Sequence, residues 1–365
     1  MALRYLTPLI AVVWLCCGAH VAVGSWQVDG SSGFRAPPKQ TVIKNSRPVY
    51  SLAVSPDGKM LVAHLRGIKT KTRRGSTYLG GSVKVWSLPH PRLVKTLGSS
   101  SMQPSEKSRV RLMYYSSAFA ITPDSKMIVL GGGPESTGLE RRWKIPVLSL
   151  PGGEFVKALE RGAVASDETL SALAITPNGE LVAGGFSDNA IELWSLTSGQ
   201  HLATLNGHSS AVEALIISAD GRVLVSASND KTIKLWSLPD GRLITTLVGH
   251  TDGVNALALR VDGKILASGS DDKTINLWEL PEGRIAATLR GHTEELSCMA
   301  ISPDGLLLAS GAYDKTVKLW SLPEGRLLAT LRGHTDMVNA LTITPDGKFL
   351  ISGGQEGAII LWALK

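Results

Sequence analysis

The chain has 365 residues, 38 of them glycine, with only 5% aromatic residues and a formal net charge of +7. The length would hold two or three ordinary domains, while the glycine and aromatic content suits many short strands and tight turns. The charge is too modest to indicate nucleic acid. Cys16 and Cys17 lie in an N-terminal apolar segment, which leaves Cys298 alone and excludes an internal disulfide in the body of the chain.

The first 24 residues carry one charge, Arg4, then an apolar run from Leu9 to Cys17 and small residues near the end. Ala22 and Gly24 flank a cut before Ser25, the layout of a secretory signal peptide. This predicts a secreted or periplasmic protein cut near Gly24/Ser25. An uncleaved membrane anchor is the alternative, weakened by Pro8 and His20, and a cytoplasmic protein is the third case. A lipoprotein signal fits poorly, because neither Val13 nor Trp14 is the leucine expected ahead of the modified cysteine. Residues 25–37 read as a linker rich in glycine and serine.

Short β-runs separated by turns fill residues 38–365. They are clearest in GHTEELSCMAISPDGLLLASGAYDKTVKLWSLPEGRLLATL, Gly291 to Leu331. Gly-His dipeptides end at His208, His250, His292 and His334, and Trp194, Trp236, Trp278, Trp320 and Trp362 recur in phase, every step being 42. Within one copy the runs are Ser297–Ser302, Leu307–Ser310, Thr316–Trp320 and Leu327–Leu331. Pro303-Asp304-Gly305, Tyr313-Asp314-Lys315 and Pro323-Glu324-Gly325 supply the turns. Two degraded copies precede these, one phased on Trp86 and one in which Leu148 replaces the tryptophan, so the copies number seven. The last lacks an outer strand, and Lys39–Lys44 is in phase to supply it.

A period in the forties with a Gly-His opening and a tryptophan near the end resembles the WD40-repeat family of G-beta-like propellers, although Trp-Asp is here mostly Trp-Ser. The resemblance implies an all-β, seven-bladed propeller of four-stranded antiparallel blades over residues 38–365. An N-terminal strand would complete the last blade and close the ring. It also implies structural tetrads of histidine, serine, aspartate and tryptophan: His208, Ser226, Asp230 and Trp236; His250, Ser268, Asp272 and Trp278; His292, Ser310, Asp314 and Trp320. A buried imidazole needs both nitrogens satisfied, and a group repeated once per blade has no reason to be catalytic. Blade three has Ser166 and Gly184 in place of histidine and serine, while Asp188 and Trp194 remain. In blade seven Glu356 stands for the aspartate, and its extra methylene is expected to put the carboxylate out of position. Blades four to six should therefore be the well-braced sector.

Other motifs fail. Gly133 to Gly138 has the glycine spacing of a phosphate loop but is followed by Leu139-Glu140, so nucleotide binding is not expected. No nucleophile elbow, zinc-protease helix or paired-cysteine motif is present, so no cofactor, metal or catalytic residue is assigned.

Four segments exceed the repeat: 66–80, 98–112, 132–144 and 160–168. By phase all four emerge on one face over one sector. The first carries Arg66, Lys69, Lys71, Arg73 and Arg74 without an acid, and the second Lys107, Arg109 and Arg111 against Glu106. The third carries Arg141, Arg142 and Lys144 against Glu135 and Glu140, whereas the fourth is acidic on balance. The family is overwhelmingly non-catalytic. The expected function is thus a protein-interaction scaffold with a basic loop cluster over blades one and two, binding a protein or peptide partner of acidic character. The plainer alternative is a set of loops kept soluble by charge. The alternative function is a hydrolase-like enzyme using the propeller face or central channel. A monomer is expected, with no nucleic acid, and with a membrane contact only through an uncleaved N-terminus.

Overall fold

The computed structural model describes residues 41–72, 75–79, 81–89, 91–97, 118–131, 133–137, 140–163 and 168–364. Their regular elements are β-strands throughout. β1 (Thr41–Lys44) precedes blade one, which contains β2 (Val49–Val54), β3 (Met60–Leu65), a separate hairpin of β4 (Ile68–Thr72) and β5 (Gly75–Leu79), then β6 (Ser82–Ser87) and β7 (Arg92–Leu97). Blade two holds β8 (Phe119–Ile121), β9 (Met127–Leu130), the extra strand β10 (Gly133–Thr137), β11 (Glu140–Ser149) and β12 (Phe155–Ala163). Blade three is β13 (Leu170–Ile175), β14 (Leu181–Phe186), β15 (Ile191–Ser195) and β16 (His201–Leu205). Blade four is β17 (Val212–Ile217), β18 (Val223–Ser228), β19 (Thr232–Ser237) and β20 (Leu243–Val248). Blade five is β21 (Val254–Leu259), β22 (Ile265–Ser270), β23 (Thr274–Glu279) and β24 (Arg284–Arg290). Blade six is β25 (Leu296–Ile301), β26 (Leu307–Ala312), β27 (Thr316–Ser321) and β28 (Leu327–Arg332), and blade seven supplies β29 (Val338–Ile343), β30 (Phe349–Gly354) and β31 (Ala358–Ala363).

The seventh sheet has the order β1-β31-β30-β29, so the first strand among the described residues is the outer strand of the last blade. β1 pairs antiparallel with β31 from Thr41↔Leu361 to Lys44↔Ala358. The ring is a seven-bladed propeller, closed where its two ends meet.

The turns follow from local chemistry. In blade six Ser302 Oγ accepts the Leu307 N–H and lies 2.5 Å from the Asp304 carboxylate, while the Gly305 N–H bonds Ser302 O. Gly305 sits at φ +72°, where a β-carbon is unfavourable. The core is divided. Seven apolar clusters lie one at each junction between neighbouring blades, as where Ile275 and Leu277 of blade five meet Met299 and Trp320 of blade six. Each blade is therefore held by its two neighbours, and the closing junction packs Val49, Leu52 and Leu61 of blade one on Ile351, Ile359 and Leu361 of blade seven.

The insertions are not all irregular. Residues 68–79 form the β4–β5 hairpin, paired from Ile68↔Leu79 to Thr72↔Gly75. Residues 133–144 pair as β10 with the start of β11, from Gly133↔Lys144 to Thr137↔Glu140. Residues 98–112 lie outside the described residues, and β12 runs to Ala163 within the fourth insertion.

Candidate functional site

In blades four to six the connection into the first strand brings a histidine over the turn between the second and third strands. His208 Nδ1 lies 2.8 Å from Asp230 Oδ2, and its Nε2 lies 2.8 Å from Ser226 Oγ. Trp236 Nε1 donates to the same hydroxyl at 2.9 Å. His250, Asp272, Ser268 and Trp278 repeat the set at 2.9, 2.7 and 2.8 Å, and His292, Asp314, Ser310 and Trp320 at 2.8, 2.8 and 2.9 Å. An ionised carboxylate can only accept, so Nδ1 carries the imidazole proton, and in the neutral ring Nε2 accepts from the hydroxyl that itself accepts the indole N–H. Burial pushes His208 below its ordinary pKa and outweighs the opposing pull of Asp230, consistent with a neutral ring. For Asp230 burial acts upward, but hydrogen bonds from Thr232, the Ser209 amide and His208 prevail and bring it to about 2.

The order serine, histidine, aspartate is that of a hydrolytic triad. Here Ser226, Ser268 and Ser310 are fully buried at 0% exposure and already accept the indole N–H. No substrate carbonyl can reach those hydroxyls. Lys231, Lys273 and Lys315 in the adjacent turns donate to Thr251 O, Thr293 O and Thr335 O of the next blade, tying neighbours together.

Blade seven departs from the expectation. Glu356 is in position: its Oε1 lies 2.6 Å from His334 Nδ1, His334 Nε2 lies 2.7 Å from Ser352 Oγ, and Trp362 Nε1 donates to that oxygen at 2.9 Å. The longer side chain fits because Gly354 stands where blades four to six have Ser228, Ser270 and Ala312. A β-carbon on Gly354 would collide with the Glu356 carboxylate and come within 2.5 Å of His334 Nδ1. The fit is incomplete, since Glu356 Oε2 is buried without a hydrogen-bond partner.

Blade three is braced by a residue that phase could not supply. Arg161, near the end of β12 in blade two, crosses the junction with a buried guanidinium. Its Nε donates to Glu192 at 2.8 Å, one Nη to Glu168 at 2.7 Å and the other to Asp188 at 2.5 Å. Its Cζ lies 4.2 Å from the centroid of the Phe186 ring. The preceding carbonyl, Glu160 O, accepts the Trp194 indole N–H at 3.0 Å. A β-carbon at Gly184 would lie 3.0 Å from Trp194 Cζ3, so the ring crowds the place a serine takes in other blades. Ser166 lies outside the described residues. The only hint of Arg161 in sequence is a lone cation ahead of Glu168, Asp188 and Glu192.

The inner strands surround a cavity of about 760 Å³. Its mouth on the tetrad face is acidic, with Glu213, Asp252, Asp271 and Glu295 from blades four to six beside Asn229, Asn255 and Tyr313. Glu213 is pushed up by burial and then by the charge of Asp271, and Asp271 by burial and then by Asp252 and Glu295. Cys298 also lines the cavity, its thiol pushed up to about 12 by burial, so it is not a nucleophile at neutral pH.

Of the basic candidates, Arg66 stands at the foot of the β4–β5 hairpin. It donates to the Tyr50 hydroxyl and lies 5.0 Å from the centroid of that ring, which itself lines the cavity. Lys69 and Lys71 fall on β4, and Arg141 and Arg142 on β11. Arg73, Arg74, Lys107, Arg109 and Arg111 lie outside the described residues. The hairpin joins the second and third strands of blade one, the same kind of connection that carries Asp271 in blade five, and so emerges on the same face. Among the described residues there is no group of histidine, cysteine and carboxylates able to hold a metal ion, and no helix is long and apolar enough to cross a membrane.

Comparison with known proteins agrees with this architecture. Residues 153–365 match the model of the WDR36/Utp21 second beta-propeller domain, and residues 37–87 match that of the WD domain, G-beta repeat. No curated protein matches the chain. Propellers of this kind are generally non-enzymatic scaffolds that bind other proteins. With seven blades, a recurring buried tetrad and a family match over more than half its length, the chain belongs to the WD40-repeat β-propeller family.

Proposed function

We propose that this chain is a non-catalytic interaction scaffold whose contact region is the basic segment over blades one and two, and whose partner is a protein or peptide with an acidic surface. What supports the reading is a difference in charge between two sectors of the sequence. Residues 66–80 hold Arg66, Lys69, Lys71, Arg73 and Arg74 without an acid, and the channel mouth over blades four to six holds Glu213, Asp252, Asp271 and Glu295. An acidic partner is drawn to the first sector and repelled from the second, so the two signs together fix where it lands. Lys107, Arg109, Arg111, Arg141 and Arg142 belong to neighbouring insertions and extend the same sign of charge.

The test is a salt-dependent pull-down with the full chain and with a version whose 66–80 hairpin is shortened. Capture that weakens with salt and disappears on shortening supports the reading, whereas an unchanged set of partners overturns it. A hydrolase-like use of the channel would have to employ Glu213 and Asp271, whose raised pKa values suit proton transfer. A broad hydrolase screen is expected to be blank, and turnover abolished by Glu213→Gln would favour the enzyme. We also propose export, on the layout of residues 1–24. N-terminal sequencing of the mature protein should begin near Ser25, and an intact start would refute cleavage.

A further inference from the structure

Each blade ends in an outer strand whose far edge offers backbone N–H and C=O groups to the rim. Such edges invite pairing with another strand unless charge or brevity blunts them. Six of the seven outer strands carry an ionisable side chain, from Lys44 in β1 to Arg332 in β28. β20 is the exception. Its sequence, LITTLV, has no ionisable group, and β20 ends its sheet, paired on one side only, with β19. Leu243, Ile244 and Val248 are 48%, 54% and 71% exposed. One period further on, blades five and six place Arg290 and Arg332 where blade four has Val248. The guarding charge present in those two copies is missing from this one.

We propose that β20 is a self-association edge, through which two copies of this chain join by antiparallel β20–β20 pairing about a two-fold axis. The strand's own sequence selects this occupant. With the axis through Thr246, Ile244 lies opposite Val248 of the second copy, Thr246 opposite its own counterpart, and Thr245 opposite Leu247. Exposed apolar side chains then meet apolar side chains, β-branched threonines pair at the centre, and no charge is set against another. A foreign strand bearing the usual edge charges would put them against the apolar row. Because each ring has one such edge and a two-fold contact consumes it on both sides, assembly closes at two copies instead of growing into a fibre. The convex rim lets the discs meet at one blade each. The proposal departs from the monomer expected from the sequence.

Sedimentation equilibrium of the full chain over a wide concentration range tests the proposal. The expected result is a monomer–dimer equilibrium without larger species. Val248→Arg copies the residue of blades five and six at an exposed position, and should weaken dimerisation roughly tenfold or more. Leu327→Arg, at an exposed position on the charged outer strand of blade six, should leave the equilibrium unchanged. In the unaltered chain, amide exchange over residues 243–248 should slow as concentration rises. A chain that stays monomeric throughout overturns the proposal. So does a dimer that survives Val248→Arg, one that Leu327→Arg disrupts equally, or exchange in 243–248 that ignores concentration.

Discussion

Gly354 and Glu356 are complementary: the space a β-carbon would fill on Gly354 is taken by the Glu356 carboxylate, two residues along the same turn. Blades four and five place Ser228 and Ser270 at the first position and aspartates at the second, so blade seven has exchanged both members of a pair. Gly354→Ala alone should therefore destabilise the protein, and Glu356→Asp should remove most of that penalty. A double-mutant cycle by denaturant unfolding should give a coupling of about 0.5–3 kcal/mol, the range for side chains in direct contact. Additive effects would show that the two positions are independent.

Removing the shared hydroxyl of a tetrad is expected to be costly. In Ser268→Ala, the Trp278 indole N–H and His250 Nε2 would both lose their buried partner. The loss should be about 1–3 kcal/mol in chemical denaturation. Ser237, at the end of β19, is half-buried and outside any tetrad, its hydroxyl reaching Arg242 O at a long 3.4 Å, and serves as a near-neutral control. A Ser268→Ala protein as stable as Ser237→Ala would contradict the bracing role.

Arg161 holds three carboxylates, and without it Glu168, Asp188 and Glu192 would repel one another across the junction of blades two and three. Arg161→Ala should cost about 1.5–3 kcal/mol, less than for a fully buried pair because Asp188 reaches solvent. Arg161→Lys should recover only part of this, because an ammonium cannot fork to three acceptors. Equal stability of the lysine variant and the native chain, measured by urea unfolding, would contradict that geometry.

Acid should weaken the fold in two stages. His208 is held below its ordinary 6.5 by burial, so on acidification the unfolded chain takes up that proton first. Asp230 is depressed from 3.8 to about 2, and again the unfolded chain protonates first. Both contributions are complete near neutral pH and are lost as the pH falls, the first below about 6.5 and the second between about 4 and 2. Denaturant midpoints measured across this range should decline toward acid, and a midpoint that rises between neutral pH and pH 4 would contradict the assignment.

Deleting residues 38–45 removes β1 together with the Asn45 bond to Gly357 O and exposes the edge of β31. The truncated chain should open at the last blade and aggregate. A soluble monomer with unchanged melting would show that closure does not need this strand.

The ring and its register were legible because a period of 42 fixes both the strands and the phase of every tetrad residue. What escaped lay off the period. Arg161 belongs to the outer strand of one blade and serves the next, so aligning the copies places nothing opposite it. Glu356 looked unfit because its partner was sought at the histidine alone, while the space it needs comes from Gly354. The acidic mouth was hidden differently. Glu213 and Glu295 come from connections into or along inner strands and Asp271 from a turn, and only the ring brings these phases to one opening.

The Asn45 amide bonds to a carbonyl 312 residues later, and its whole strand waits on that end of the chain. On a ribosome β1 emerges long before β31, its mate. Six blades can be assembled while β1 is still unpaired, so annealing of the seventh waits for β31 and has a large loop to close. Until then, the emerging protein carries a sticky seam at each end, and this interval is when a chaperone would matter most.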